Sequence, residues 1–285
     1  MDTIGGPMRW QDAGMREGQA AQGRAAWPAD GAGALGSAWR AEAQPPPLGD
    51  DVALFHDLDG SLLELAARPD DVVVAPYLPG LLDVLRCYLG GALAIVSGRQ
   101  IRTLDRLLHP LRLAGAGLHG AELRRAMRGD VESSAPAATG DLAEALRRYF
   151  SSDPRILVED KGLAVALHFR LAPERAAECA AVASALASAM GLAAAPGKMV
   201  VEVLSTTANK GQAVQSLMAQ APFAGRRPVF VGDDLTDENG ILVAQALGGY
   251  GVKVGTGPSV ARYRLSSVKA VHRWLATAAG LRNFS

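Results

Sequence analysis

Two aspartates separated by one residue, Asp57 and Asp59, sit in the run Phe55-His56-Asp57-Leu58-Asp59-Gly60-Ser61-Leu62. The glycine that follows them suits a sharp turn aiming both carboxylates into one crevice. There, one can serve as a nucleophile and the other as a general acid, with a cation suppressing their repulsion. Alone the pattern is weak, because turns are rich in Asp and Gly for conformational reasons. Three further groups carry compatible chemistry. Ser97-Gly98-Arg99 offers a hydroxyl and a backbone amide able to hold a phosphoryl oxygen. Asn209-Lys210-Gly211 places a compact point charge in a chain whose 29 basic residues include only five lysines. Gly232-Asp233-Asp234-Leu235-Thr236-Asp237-Glu238 supplies the carboxylate oxygens that a hard cation such as Mg2+ requires.

These groups follow short apolar runs or open helices. A buried strand is expected over 51–56, a helix over 78–89, a second strand over 91–96 and a helix over 101–108. The alternation predicts a parallel sheet with helices on its faces, and such sheets bind ligands at the carboxyl ends of their strands. Between 121 and 205 the pattern changes. Helices are expected over 141–150 and 174–190, and a strand over 199–204. The runs 156–159 and 163–170 are joined by the hairpin signal Asp160-Lys161-Gly162. This reads as a second, inserted domain. The chain then returns to alternation, with helices over 211–219, 242–247 and 268–278 and strands over 229–231 and 251–255. The expected division is a core of 49–120 and 206–285 and an inserted layer of 121–205. Residues 1–48, rich in Ala, Gly and Pro and carrying Trp10, Trp27 and Trp39, are expected to be a poorly ordered extension. Along 163–170, alternation puts Ala164, Ala166, His168 and Arg170 on one face, a surface suited to a polar ligand.

In order and position the four groups resemble the motifs of the haloacid dehalogenase superfamily. The resemblance implies an α/β fold with a Rossmann-like core, a parallel sheet and a smaller inserted α/β cap. It makes Asp57 the nucleophile, Asp59 the acid/base, and Ser97 and Lys210 the phosphate anchors, with Gly98 and Arg99 beside the substrate. Asp57, Asp233 and the backbone carbonyl of Asp59 would bind Mg2+, and Asp234 and Asp237 would orient metal-bound waters. Gly117-Leu-His119-Gly-Ala-Glu122, Val158-Glu-Asp-Lys161-Gly-Leu163 with His168 and Arg170, and Ala261-Arg-Tyr-Arg-Leu265 narrow the likeness. They resemble trehalose-6-phosphate phosphatases, over 52–275. That family implies a sugar phosphate substrate gripped by Lys161, His168, Arg170 and Glu202 of the cap, with His119 and Glu122 at the core–cap junction. It also implies a cytoplasmic monomer. A phosphatase for sucrose phosphate or a mannosylglycerate phosphate is the alternative within the class. A non-catalytic sensor of trehalose 6-phosphate is the alternative outside it. Two departures stand out: Ser61 replaces the usual threonine, and Leu204-Ser205 replaces a frequent Arg-Pro.

Composition excludes several other classes. Basic and acidic residues number 29 each, so no net charge favours nucleic acid or an anionic membrane as partner. At 49% hydrophobic content the chain can build a substantial core. The alanine-rich stretch 176–196 carries Glu178 and reads as a water-soluble helix rather than a membrane span. No basic segment followed by an apolar one opens the chain, so secretion is not expected. Cys87 and Cys179 have no metal-ligand spacing and are expected to be buried, reduced thiols.

Overall fold

The structure is a computed structural model that describes residues 43–133, 139–204 and 209–281. The chain begins with β1 (Val52–His56), α1 (Leu78–Tyr88), β2 (Leu93–Val96), α2 (Ile101–Leu107) and β3 (Ala114–Gly117). Two short strands follow, β4 (Glu122–Arg124) and β5 (Glu132–Ser133). Next come α3 (Gly140–Tyr149), β6 (Leu157–Asp160), β7 (Ala164–His168), α4 (Ala176–Ala189), β8 (Ala193–Gly197) and β9 (Val200–Leu204). The last part is α5 (Lys210–Met218), β10 (Arg227–Gly232), α6 (Glu238–Ala246), β11 (Tyr250–Val254), β12 (Tyr263–Leu265) and α7 (Val268–Ala278).

Among the described residues these strands form two sheets. The larger runs in the order β12-β11-β10-β1-β2-β3-β4-β5 and the smaller in the order β6-β7-β9-β8. The pairings from β12 through to β3 are parallel, whereas β4 and β5 attach antiparallel at the edge. Every residue of β1, β2, β3 and β11 is buried, as expected of a sheet covered on both faces. One face packs Leu54 and Val229 against Leu82 and Leu85 of α1 and Val271 and Leu275 of α7. The other packs Phe55 and Phe230 against Val214 and Leu217 of α5 and Ile241 of α6.

The smaller sheet is antiparallel throughout. Val165, Leu167, Val201 and Val203 point from it onto α3 and α4, where they meet Leu142, Leu146, Cys179 and Ala183. Alanines dominate the buried side of α4, which lets that helix lie close to the sheet. The opposite face carries Ala164, Ala166 and Glu202 towards the larger layer, following the strand alternation. At the junction of the layers, Leu118, Ala121, Ala164 and Leu204 form a small apolar cluster. Leu204 is packed in that cluster; Ser205 lies outside the described residues.

Three expectations are corrected. The inserted layer does not begin at 121, because β4 and β5 belong to the larger sheet, where Leu123 pairs with Ala116. The disordered reading of 1–48 fails for 43–48. Trp274 Nε1 donates to the Pro46 carbonyl at 2.9 Å, Tyr88 Oη to the Leu48 carbonyl at 3.1 Å, and the Arg264 amide to the Ala43 carbonyl at 3.1 Å. Leu48 is buried in the core together with Leu81, Leu82 and Leu85 of α1. The remainder of that extension, with Trp10, Trp27 and Trp39, lies outside the described residues. Cys87 is exposed on the outer face of α1, whereas Cys179 is buried and both are free thiols. Among the described residues no helix is long and apolar enough to cross a membrane.

Candidate active site

Asp57 follows β1 directly, and its amide donates to the Val231 carbonyl on the neighbouring β10 at 2.9 Å. Parallel pairing thus aligns the ends of β1, β2 and β10, so Asp57, Ser97 and Asp233 emerge together. The turn after Asp59 needs Gly60, which has φ +82°. A Cβ there would collide with the Asp233 carboxylate, so glycine also permits the two loops to touch. Lys210 opens α5, whose N-cap Asn209 accepts from the Gln212 amide at 3.1 Å. The Lys210 ammonium then reaches Asp57 Oδ1 at 2.7 Å and Asp237 Oδ1 at 2.6 Å.

Asp237 is fully buried, and its second oxygen accepts the amides of Asp233 and Asp234 at 2.9 Å each. Both of its oxygens are thereby engaged in shaping the loop. Burial opposes the charge on Lys210, but Asp237 and Asp57 more than offset this and hold the ammonium far above its ordinary range. Burial pushes the Asp57 carboxyl up and Lys210 pulls it down, while Asp237 and Asp233 push it up again. Burial and Asp237 likewise raise Asp233, against the pull of Lys198.

Carboxylate oxygens of Asp57, Asp233 and Asp237 lie within 4.8 Å of one another. Asp233 Oδ1 is buried without a hydrogen-bond partner, an orphan that a cation would satisfy. Asp57 and Asp233 offer hard oxygen donors that fit a divalent ion such as Mg2+, with the engaged Asp237 carboxylate beside them. Asp234 turns elsewhere: its oxygens accept the amides of Leu235 at 2.6 Å and Lys198 at 3.1 Å.

Asp59 lies across the cleft, gripped at both oxygens by Arg99 at 2.6 and 2.8 Å. Ser97 Oγ accepts the Arg99 amide at 3.1 Å, fixing the turn that carries the arginine. After β3 the backbone takes two successive left-handed residues, Leu118 (φ 48°) and His119 (φ 57°). Such strain persists only where surrounding structure enforces it. Here it turns the imidazole into the cleft, where His119 Nε2 meets Glu202 Oε2 of the small sheet in a short contact. Glu202 Oε1 accepts from Lys161 Nζ at 2.6 Å, and Lys161 donates also to the Gly98 carbonyl at 2.9 Å. Burial works against the Glu202 charge, yet His119 and Lys161 hold it well below the usual carboxylate range.

These groups surround one cavity of about 480 Å3, between the end of the large sheet and the polar face of the small one. Its walls include Asp57, Asp59, Ser97, Gly98, Arg99, Lys210, Asp233 and Asp234 from the larger layer, together with His119. Lys161, His168, Arg170 and Glu202 come from the smaller one. Asp237 lies behind the wall. Glu122 is not brought to the cavity: its carboxylate accepts the Ile101 amide at 2.6 Å and so caps α2, a supporting role in place of the expected substrate contact.

Among the cavity residues that the sequence reading did not assign a role are Glu159 and Lys198. Glu159 accepts from His168 Nε2 at 3.0 Å and shares a face with Ala166 and Glu202, a register visible only once β6, β7 and β9 are paired. Lys198 sits at the β8–β9 turn and reaches Asp233 Oδ2 at 3.0 Å, joining the small sheet to the acidic cluster. Its signal was Pro196-Gly197-Lys198, a turn whose first strand is nearly all alanine.

Comparison with known proteins places the chain in a family. The trehalose-phosphatase family model matches residues 55–269. The trehalose-6-phosphate phosphatase of Escherichia coli K12 is 40% identical over 235 residues, covering 81% of this chain and 88% of that protein. A probable trehalose-phosphate phosphatase of Sinorhizobium fredii is 46% identical over 209 residues, covering 72% and 78%. In fold, the C-terminal domain of a C. albicans trehalose-6-phosphate phosphatase superposes with a TM-score of 0.72 at 21% identity, covering 82% of this chain and 93% of that one. A haloalkanoate dehalogenase-superfamily phosphatase from Bacteroides thetaiotaomicron shares the fold at a TM-score of 0.54 and 16% identity, covering 87% and 99%. With the motif loops at one end of the large sheet and the family match running through both layers, the chain belongs to the trehalose-phosphatase family.

Proposed function

We propose that this chain is a cytoplasmic, monomeric, Mg2+-dependent phosphatase that converts trehalose 6-phosphate to trehalose and phosphate. The observation that carries the reading is the cavity itself. A buried carboxylate and ammonium, Asp57 and Lys210, stand at its floor, and polar groups of the smaller layer form its roof.

Asp57 Oδ attacks phosphorus in line with the sugar 6-oxygen; the new P–O bond forms as the bond to the sugar breaks. Asp59 delivers a proton to the departing alkoxide. The resulting carboxylate then takes a proton from water, whose oxygen attacks phosphorus and releases Asp57. In the resting arrangement Arg99 holds both Asp59 oxygens. Substrate oxygens that draw the guanidinium away would free Asp59 for proton transfer. Asp57, Asp233 and the Asp59 carbonyl would hold Mg2+, which when bound neutralises charge on the transferring phosphoryl group. Lys210 supplies a second positive charge, and Ser97 and the amides around it bind the remaining oxygens. Glu202, Lys161, Glu159 and His168 present donors and acceptors for sugar hydroxyls, and Lys198 and Gln100 tie the layers shut over them.

Asp57→Asn is isosteric and tests this order of events. It is expected to lose phosphate release from trehalose 6-phosphate by at least about 10³-fold, with the melting temperature retained. Turnover near that of the parent would overturn Asp57 as nucleophile.

A further inference from the structure

This chain uses arginine almost everywhere, and four of its five lysines gather at the site. Lys161, Lys198 and Lys210 line the cavity. The fourth, Lys253, lies behind it in β11, where all five residues are buried. A lysine in such a strand requires partners, since a buried ammonium without them is costly. Its Nζ donates to the backbone carbonyl of Asp233 at 2.5 Å and stands 4.0 Å from Glu238 Oε1. Glu238 in turn accepts the Val260 amide at 2.8 Å, which anchors it to the loop beyond β11.

Asp233 is thus clamped on both sides of its main chain. Its amide is fixed by Asp237 and its carbonyl by Lys253. Of its carboxylate, Oδ2 is held by Lys198 at 3.0 Å, and Oδ1 is buried and unpartnered beside Asp57. We propose that Lys253 is a positioning residue: by holding the Asp233 carbonyl it sets the direction in which the Asp233 carboxylate meets the divalent cation. The inference rests on the Mg2+ reading above and adds to it a residue outside the cavity.

A positive charge behind a cation site would by itself weaken binding through repulsion, so the two roles of Lys253 predict opposite signs. If orientation dominates, Lys253→Met loosens the Asp233 loop and weakens Mg2+ binding. If charge dominates, the same change tightens it. Removing an outer-shell support of a metal ligand typically costs about 10- to 100-fold in affinity.

The test is calorimetric titration of the full chain with Mg2+ alone, comparing the parent with Lys253→Met and Glu238→Gln. Glu238→Gln keeps an oxygen for the Val260 amide and releases only the charge that steadies Lys253. It is the variant that decides should Lys253→Met not fold. The expected result is a Kd raised about tenfold in Lys253→Met and about threefold in Glu238→Gln, with Lys253→Arg recovering part of the loss. Folded variants that bind Mg2+ as well as the parent, or tighter, overturn the role of Lys253 while leaving the cation site standing. A parent chain that binds no Mg2+ overturns both.

Discussion

Glu202 is the residue on which the two layers meet chemically, because His119 from one and Lys161 from the other share its carboxylate. Replacing it with glutamine keeps the shape and removes the charge that both partners bind. Hydrogen bonds to charged groups contribute about 1.5–3 kcal/mol each, so Glu202→Gln is expected to raise KM for trehalose 6-phosphate about 10- to 100-fold. Phosphate release at varied substrate concentration reads this directly, and an unchanged KM would remove Glu202 from the sugar site. Asp57, Asp59, Ser97 and Asp233 could be singled out from sequence because each lies just after an apolar run, and Lys210 because it is a lysine opening a helix in an arginine-rich chain; the structure places all five on one cavity. Glu122 was misassigned because sequence neighbourhood to His119 does not reveal direction. The left-handed pair Leu118 and His119 turns the imidazole into the cleft, whereas Glu122 points back to cap α2.

At the scale of elements, strands rich in Val, Leu and Phe were readable and strands of Ala and Gly were not. β3 is Ala-Gly-Ala-Gly, and a Cβ at Gly115 would strike the Ile95 carbonyl, so close strand approach selects the residues that hide the strand. β8 is Ala-Ala-Ala-Pro-Gly, and missing it concealed the hairpin that carries Lys198. β4 and β5 are too short to show a period, which misplaced the start of the insertion. The segment 43–48 was hidden by its prolines, which signal disorder in sequence, yet here its carbonyls are held by Trp274 of α7 and Tyr88 of α1. Its contribution can be isolated by comparing a chain starting at Ala43 with one starting at Gly49. Burial of Leu48 and three hydrogen bonds amount to about 3 kcal/mol, so the shorter chain should melt roughly 6–12 °C lower. Equal melting temperatures would show the segment to be dispensable.

For the molecule as a whole, stability depends on histidines that the reaction does not use. His56 lies beneath Asp57, with Nδ1 2.6 Å from the Asp57 carbonyl and Nε2 buried without a partner. Burial pushes it down to about 4, against the hydrogen bond to that carbonyl. His272 of α7, which contacts the Leu62 carbonyl at 2.8 Å, is lowered by burial as well. The fold therefore favours both neutral imidazoles. Their contribution is complete above the ordinary histidine value and is lost as pH falls through it towards the lowered one. For His56 the loss between about pH 7.5 and pH 5 is about 2 kcal/mol. The melting temperature should fall over that range, and a flat profile would contradict it. The low value for Glu202 adds to the same acid weakness as pH falls further.

The two layers, the acidic floor and the polar roof together make one claim, that a disaccharide phosphate is held between them and cleaved at its phosphate. The most direct measurement is phosphate release by the parent chain, with and without Mg2+, from trehalose 6-phosphate, sucrose 6-phosphate, glucose 6-phosphate and a mannosylglycerate phosphate. The account predicts Mg2+-dependent release with a marked preference for trehalose 6-phosphate. Release from none of them, with Mg2+ and substrate still bound, would contradict it and make the chain a sensor of the sugar phosphate.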